Sequence, residues 1–191
     1  MMKLLTQLTN VRNIFKNAAI ALGTFDGVHI GHQEIISKAV DLANEADGTS
    51  VVFTFSNHPL SVIDPDRCPL QLITPDYKAE LISALGIDLL ITIPFTPQFL
   101  RLSAEEFINS LLLNIAPKHI VVGPNYSFGF QSKGNPSLLE QAGAKYNFSV
   151  HIHEGVYWKN QIVSSTFIRQ LILDGKVDAA IPLLGRPVKL T

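Results

Sequence analysis

"AAIALGTFDGVHIGHQEIISKAVDLANEAD" (Ala18–Asp47) contains the two signals from which the fold is read. Its first part, "AAIALGTF" (18–25), is a continuous apolar run of strand length. Its last part, "GHQEIISKAVDLANEAD" (31–47), repeats Ile35, Ile36, Ala39, Val40 and Leu42 at helical spacing. A buried strand therefore leads into an amphipathic helix. The turn between them, "GTFDGVHIGH" (Gly23–His32), collects glycines, an aspartate and two histidines. Such a turn is either a connection under unusual geometric constraint or a place where a ligand approaches the backbone closely.

The same alternation continues along the chain. "TSVVFTFS" (49–56) reads as a second strand, followed by a loop rich in Pro and Asp from Asn57 to Leu70. Thr74 caps a helix over 74–86, with Pro75 at its first position and Gly86 at its stop. "DLLITIPF" (88–95) is a third strand. Ser103 and Glu106 form a capping-box pattern that opens the helix "AEEFINSLLLNIA". "KHIVVGP" gives a fourth strand, "PSLLEQAGAKYN" a short helix, and "FSVHIHEG" a fifth strand whose alternation suits a sheet edge. Two small helices between Thr166 and Gly185 close the domain. Repeated strand–helix–strand units imply a doubly wound α/β domain with a mainly parallel sheet. Ligands of such sheets bind beyond the carboxyl ends of the strands, near a topological switch point.

Composition narrows the function classes. A chain of 191 residues, 47% hydrophobic, can bury its own core without a disulfide or metal staple. Its one cysteine, Cys68, excludes an internal disulfide framework, and no leader-like segment opens the chain, so a cytoplasmic location is expected. No apolar run approaches the roughly 18 residues of a membrane span. A net charge of -1 provides no basic field for nucleic acid or for a membrane surface. Small-molecule partners are expected instead. Charged residues make up 16%, below the roughly 25% of soluble domains, which leaves apolar surface for a ligand or another chain to cover.

In the turn, Gly27 and Gly31 let backbone amides approach an anion, and the following helix presents unpaired N–H groups and a positive dipole end. Phosphate is the natural occupant. His29 and His32, three apart, project from one side if the helix starts there, and each can donate to a nonbridging oxygen or a developing leaving group. The competing reading is a glycine-rich turn with two surface histidines. Zinc lacks a further ligand at suitable spacing.

"GTFDGVHIGH" resembles the HxGH signature of the nucleotidylyltransferase superfamily, and its full form resembles the adenylyltransferase module of bacterial FAD synthetases. "VVFTFSNHP", "FLRLSAEEFI", "VVGPNYSFG", "SSTFIR" and "LLGRP" are similar to further blocks of that module in the same order. The resemblance spans about residues 18 to 187 and implies a Rossmann-like fold. It implies transfer of AMP from ATP to the phosphate of FMN, giving FAD and pyrophosphate, with Mg2+ present. It also implies that Gly23, Thr24, Phe25, Asp26, Gly27 and Gly31 surround ATP. His29 and His32 then contact its phosphates, while Ser164, Ser165, Thr166 and Arg169 act from the far side. Such chemistry requires alignment and stabilisation of spread negative charge rather than a strong base, which suits histidines, hydroxyls and an arginine fork. "SSTFIR" also reads as an N-cap and an amphipathic helix with Ile168, Leu171 and Ile172 inward.

By the same resemblance Asn125 orients the phosphates or FMN, and Phe55, His58, Pro59, Ser127, Phe128 and Gly129 lie on the flavin side. Flat apolar side chains suit an isoalloxazine ring, although phenylalanines at strand ends are commonly core. Ser127 replaces a common basic residue, and only Lys133 remains of an often more basic loop. His151 and His153 read as solvated edge residues; His119 and Cys68 receive no catalytic role. Asp26 fits either water-mediated Mg2+ binding or backbone bonding within the turn. Metal ligands remain unassigned, and a homo-oligomer remains open. Two other functions share these features: a noncatalytic flavin or nucleotide sensor, and a transferase using CTP or another acceptor. Bifunctional members continue past "LGRP" into a riboflavin kinase domain. Here one domain, 1–187, followed by a tail, 188–191, is expected to be a monofunctional FMN adenylyltransferase.

Overall fold

In a computed structural model, which describes residues 2–8 and 16–189, the strands are β1 (Lys3–Leu5), β2 (Ala19–Leu22), β3 (Ser50–Phe55), β4 (Leu89–Ile93), β5 (His119–Val122), β6 (Ser149–Ile152), β7 (Tyr157–Trp158) and β8 (Gln161–Ile162). The helices are α1 (Ile30–Glu45), α2 (Leu60–Ile63), α3 (Pro75–Ala84), α4 (Pro97–Leu100), α5 (Ala104–Asn114), α6 (Pro136–Tyr146), α7 (Ser165–Leu173) and α8 (Val177–Leu184). Six strands form one sheet in the order β1-β4-β3-β2-β5-β6. Every pairing within it is parallel. The chain moves from β2 outward through β3 and β4, then returns to the other side of β2 for β5. That reversal is a topological switch point, and it lies where the glycine-rich turn leaves the sheet.

The central strand shows why both faces are covered. Ile20 and Leu22 of β2 pack in a cluster with Phe53, Phe107, Leu111 and Leu139, which places α5 and α6 on that face. Ala19 and Ala21 point the other way, into a cluster with Ile36, Ala39 and Ile82 of α1 and α3. Small alanines toward α1 and bulky residues toward α5 are the period-two code of a strand buried on both sides. Truncating Leu22, which is 1% exposed, to Ala should cost about 2 to 5 kcal/mol. A third cluster joins α7, α8 and Val163 behind the turn.

The caps follow the sequence closely. Thr74 Oγ1 accepts from the Tyr77 amide at 3.3 Å, and Ser103 with Glu106 closes both bonds of the capping box. The strands are shorter than the apolar runs that announce them, because their ends turn into cleft-lining loops. The sheet has one strand more than the five expected. β1 escapes the pattern because it is three residues on an exposed edge, too short for alternation to register. The hairpin β7–β8 turns on Lys159 and Asn160, with φ of 48° and 64°, a two-residue turn whose asparagine is a weak signal. The loop after β3 contains α2, and α4 precedes the capping box. Val188 packs on the third cluster and the Lys189 ammonium lies 4.5 Å from the Tyr77 ring centroid, so these two tail residues are docked. Leu190 and Thr191, and residues 9–15 of the expected domain, lie outside the described residues.

Candidate active site

The turn leaves β2 at Gly23 and enters α1 at Ile30 under visible strain. Phe25 and Val28 have φ of 49° and 38°, unusual for bulky side chains. Both are 1% exposed and locked into the core beneath α1, which holds the backbone in place. Gly27, at φ 82°, has no room for a Cβ, which would lie 2.7 Å from Leu72 Cδ1.

The carbonyls of this turn are occupied by the protein. Thr24 O accepts from Thr54 Oγ1 at 2.9 Å and Lys78 Nζ at 3.2 Å. Phe25 O accepts from the Val28 amide, and Asp26 O from Ser165 Oγ at 2.8 Å. Gly27 O accepts from Arg186 Nη2 at 2.6 Å, and Val28 O from Arg186 Nη1 and Gln33 Nε2. The amides of Thr24, Phe25, Asp26, Gly27 and His29, by contrast, have no acceptor among the described residues. A run of satisfied carbonyls and free N–H groups at a helix N-terminus is an anion-binding arrangement.

His29 is the N-cap of α1. Its Nδ1 accepts from the His32 amide at 3.3 Å, so the proton of the neutral ring sits on Nε2. The rings of His29 and His32 stack with centroids 3.5 Å apart. Burial lowers the His29 pKa to about 4, opposed by its backbone hydrogen bond and aided by the Arg186 charge. His32 is likewise driven well below its ordinary value by burial, then by His29 and Lys78. Both rings are neutral donors at pH 7. His29 is thus a buried cap, contrary to the surface-histidine reading, and has a structural role besides any chemical one. His32 Nδ1 is buried without a partner among the described residues.

Across the turn, the "SSTFIR" block adopts the cap-and-helix form. Ser164 Oγ caps α7 by accepting from the Phe167 amide at 3.2 Å, while Ile168 and Leu171 are buried and Ile172 packs beside them. Arg169 forms an ion pair with Asp26, and its Nε donates to Leu70 O at 2.8 Å. The other Asp26 oxygen accepts from the Leu72 amide at 3.0 Å. Asp26 is therefore bonded on both oxygens, and part of the arginine fork is committed. His58 Nδ1 accepts from the Leu60 amide, and burial with the Arg169 charge lowers its pKa. His151 and His153 are not simply solvated: His151 lies 3.2 Å from His119 across neighbouring strands, and His153 pairs with Glu34 at 2.7 Å.

A cleft of about 1000 Å³ opens at the switch point. Its wall includes Gly23, Thr24, Phe25, Asp26, His29, Gly31 and His32 from the turn, with Ser164, Ser165, Thr166 and Arg169 from α7. Phe55, His58 and Pro59 follow β3; Asn125, Ser127, Phe128 and Gly129 follow β5. Asn125 is exposed there and its side chain has no hydrogen bond among the described residues. Gly27 is not on the wall; its place is against Leu72, behind the turn. Lys133 is also off the wall. One end of the cleft is an aromatic pocket in which Phe55 makes edge contacts with Phe95 and Phe99 at 5.1 Å and those two rings meet at a tilt at 5.4 Å, continued by Phe107 and Phe128. Phe95, Phe99 and Phe107 escaped the sequence reading, although "PFTPQF" carries two of them. Lys78 and Arg186 escaped it too, since their bonds to the turn span long sequence separations. Among the described residues no group of three or more His, Cys, Asp or Glu is arranged to hold a metal ion, and no helix is long and apolar enough to cross a membrane.

Comparison with known proteins adds an independent line. The model of the FAD synthetase family matches residues 11–167. A bifunctional riboflavin kinase/FMN adenylyltransferase of Buchnera aphidicola is 37% identical over 194 residues, covering 100% of this chain and 62% of its own length. The protein of that name from Listeria monocytogenes is also 37% identical, over 90% of this chain and 54% of its own. The chain thus spans roughly three fifths of the length of these relatives. A Streptococcus pneumoniae structure described as a macrolide-efflux protein superposes with a TM-score of 0.86 at 31% identity, covering 98% of this chain and 63% of that one. A Francisella tularensis pantoate-beta-alanine ligase, at 16% identity and a TM-score of 0.62 over 95% of this chain and 78% of its own, shares the fold alone.

Proposed function

The chain belongs to the FAD synthetase family, and from that premise we propose that it transfers AMP from ATP to FMN, giving FAD and pyrophosphate. An oxygen of the FMN phosphate attacks the α-phosphorus of ATP, and the bond from that phosphorus to the bridging oxygen breaks. The electron pair leaves with pyrophosphate. One observation carries the reading: a single cleft joins an amide-rich turn, two neutral histidine donors and an aromatic pocket. Phosphates fit the first two and a flavin ring fits the third.

The roles follow from the groups left free. Amides of the turn, His29 Nε2–H and His32 donate to the phosphates of ATP, where negative charge grows on the leaving pyrophosphate. Thr166 and the uncommitted N–H groups of Arg169 face them from α7. Asn125 orients the acceptor phosphate, with one donor and one acceptor on the same amide. Phe55, Pro59, Phe128 and Gly129 hold the ring, with Phe95 and Phe99 behind them. Ser164 and Ser165 act through structure, as a cap and as a bond to Asp26 O. Mg2+ supplies charge neutralisation when it arrives on the nucleotide phosphates. The described side chains do not fit a metal site of their own, because Asp26, the one carboxylate on the wall, is already engaged.

A matrix of ATP and CTP against FMN and riboflavin, scored by pyrophosphate release, tests the proposal. Release should require ATP and FMN together. Equal release with CTP, or with riboflavin as acceptor, would overturn the substrate assignment, and binding without release would make the chain a sensor.

A further inference from the structure

Lys78, on α3, is 8% exposed and is absent from the cleft wall. Its ammonium donates to Phe55 O at 2.7 Å, Thr24 O at 3.2 Å and Thr54 Oγ1 at 3.4 Å. Three N–H groups meet three acceptors, and the Thr54 hydroxyl donates in turn to Thr24 O. A buried ammonium is stable only when so satisfied. The acceptors belong to two different chain segments. Thr24 lies in the turn after β2, where ATP is placed. Phe55 ends β3 and leads into His58 and Pro59 on the flavin side. The paired register of β2 and β3 ends at Leu22 and Phe53. Just beyond it the connection passes from backbone to side chains: the Thr54 hydroxyl bonds Thr24 O directly, and Lys78 joins Thr24 O to Phe55 O, the last residue of β3.

We propose that Lys78 is a positioning residue for adenylyl transfer, its ammonium tying the nucleotide turn after β2 to the flavin-side end of β3 and fixing the gap across which the substrates meet. The inference rests on the activity proposed above. In-line transfer between two bound phosphates depends steeply on their separation, and a displacement of about 1 Å lowers rates roughly 100-fold. A lysine that touches neither substrate can therefore control turnover.

The charged groups facing it are Asp26 on the turn, paired with Arg169 of α7, His58 beyond β3, and His32 on α1. Burial lowers the Lys78 pKa to about 8, with Asp26 opposing the shift. His32 and His58 lie below their ordinary range, so neither titrates between pH 7 and 9. Loss of the Lys78 proton turns a lone pair toward one of its three acceptors and slackens the connection. Turnover should therefore fall as pH rises through about 8.

K78M in the full chain tests this. Hydrogen exchange in residues 23–29 and 56–60, at the bonded amides of Gly23, Val28, Ser56 and Leu60, should accelerate at least about tenfold while α5 is unchanged, whether or not product forms. The kcat should drop about 10- to 100-fold, with KM for ATP and FMN within about threefold, and the limb near pH 8 should vanish. Unchanged exchange in those segments, or a wild-type kcat with the limb intact, overturns the proposal. If wild-type protein makes no FAD, the activity reading fails and the exchange result still decides Lys78. If K78M does not fold, NMR of wild type decides: Lys78 Cε and the amides of Phe25 and Ser56 should titrate together near pH 8, and independent titration overturns it.

Discussion

Nδ1 of His29 holds the His32 amide while Nε2 keeps the ring proton, so one side chain ends a helix and offers a donor to the cleft. The two roles separate by substitution. His29→Ala loses both: stability should fall by about 1 kcal/mol for the cap, and kcat by roughly 10- to 1,000-fold for the donor. His29→Asn keeps a capping oxygen but not the imidazole donor, so thermal unfolding should stay near wild type while kcat still falls. Equal turnover of His29→Asn and wild type, in steady-state assays, would leave His29 a cap only. The folded pKa of His29, about 4, lies below its unfolded value of 6.5. Between those values the unfolded state binds more protons, so stability is fully present above pH 6.5 and is lost as pH falls toward 4, by about 3 kcal/mol for this group. Urea unfolding across that range should show the loss, reduced in His29→Asn. The spacing of the histidines was legible in the sequence; their neutrality was not, because it comes from burial and from each other.

Elements, rather than single side chains, keep the turn in its strained form. The end of α8 delivers Arg186 to Gly27 O and Val28 O, and α7 delivers Arg169 to Asp26 and Leu70 O. Arg186→Met should lower stability by about 2 kcal/mol and reduce kcat, because Gly27 O loses its donor and Val28 O keeps only Gln33 Nε2, which lets the turn relax. Chemical denaturation and steady-state kinetics check this together; full turnover would show that the brace is dispensable. Arg169→Lys keeps a charge but loses the planar fork, so one of its two partners must be released. Stability and kcat should both fall, and unchanged kinetics would confine Arg169 to structure. Strand and helix order could be read from periodicity, and the caps at Thr74 and Ser103 from local chemistry. β1 and the β7–β8 hairpin could not, being too short to carry a period. Asp26 stayed ambiguous because its partners, Leu72 and Arg169, are brought to it only by folding.

At the scale of the whole molecule, the sheet's reversal beside β2 places the amide-rich turn and the aromatic pocket on one wall, and this juxtaposition is the basis of the proposed chemistry. The parallel fold alone would serve many reactions. What favours the proposed joining of a nucleotide to a flavin phosphate is the pairing of free amides with a cluster of phenylalanines about one cleft. The most direct test follows the atoms. FMN carrying 18O in its phosphate is incubated with the protein, ATP and Mg2+, and the products are separated and weighed by mass spectrometry. FAD and pyrophosphate should form in equal amounts, with all the label in FAD and none in pyrophosphate, since the FMN oxygen attacks the α-phosphorus and no bond within FMN breaks. No FAD from folded protein, or label appearing in pyrophosphate, would contradict that account.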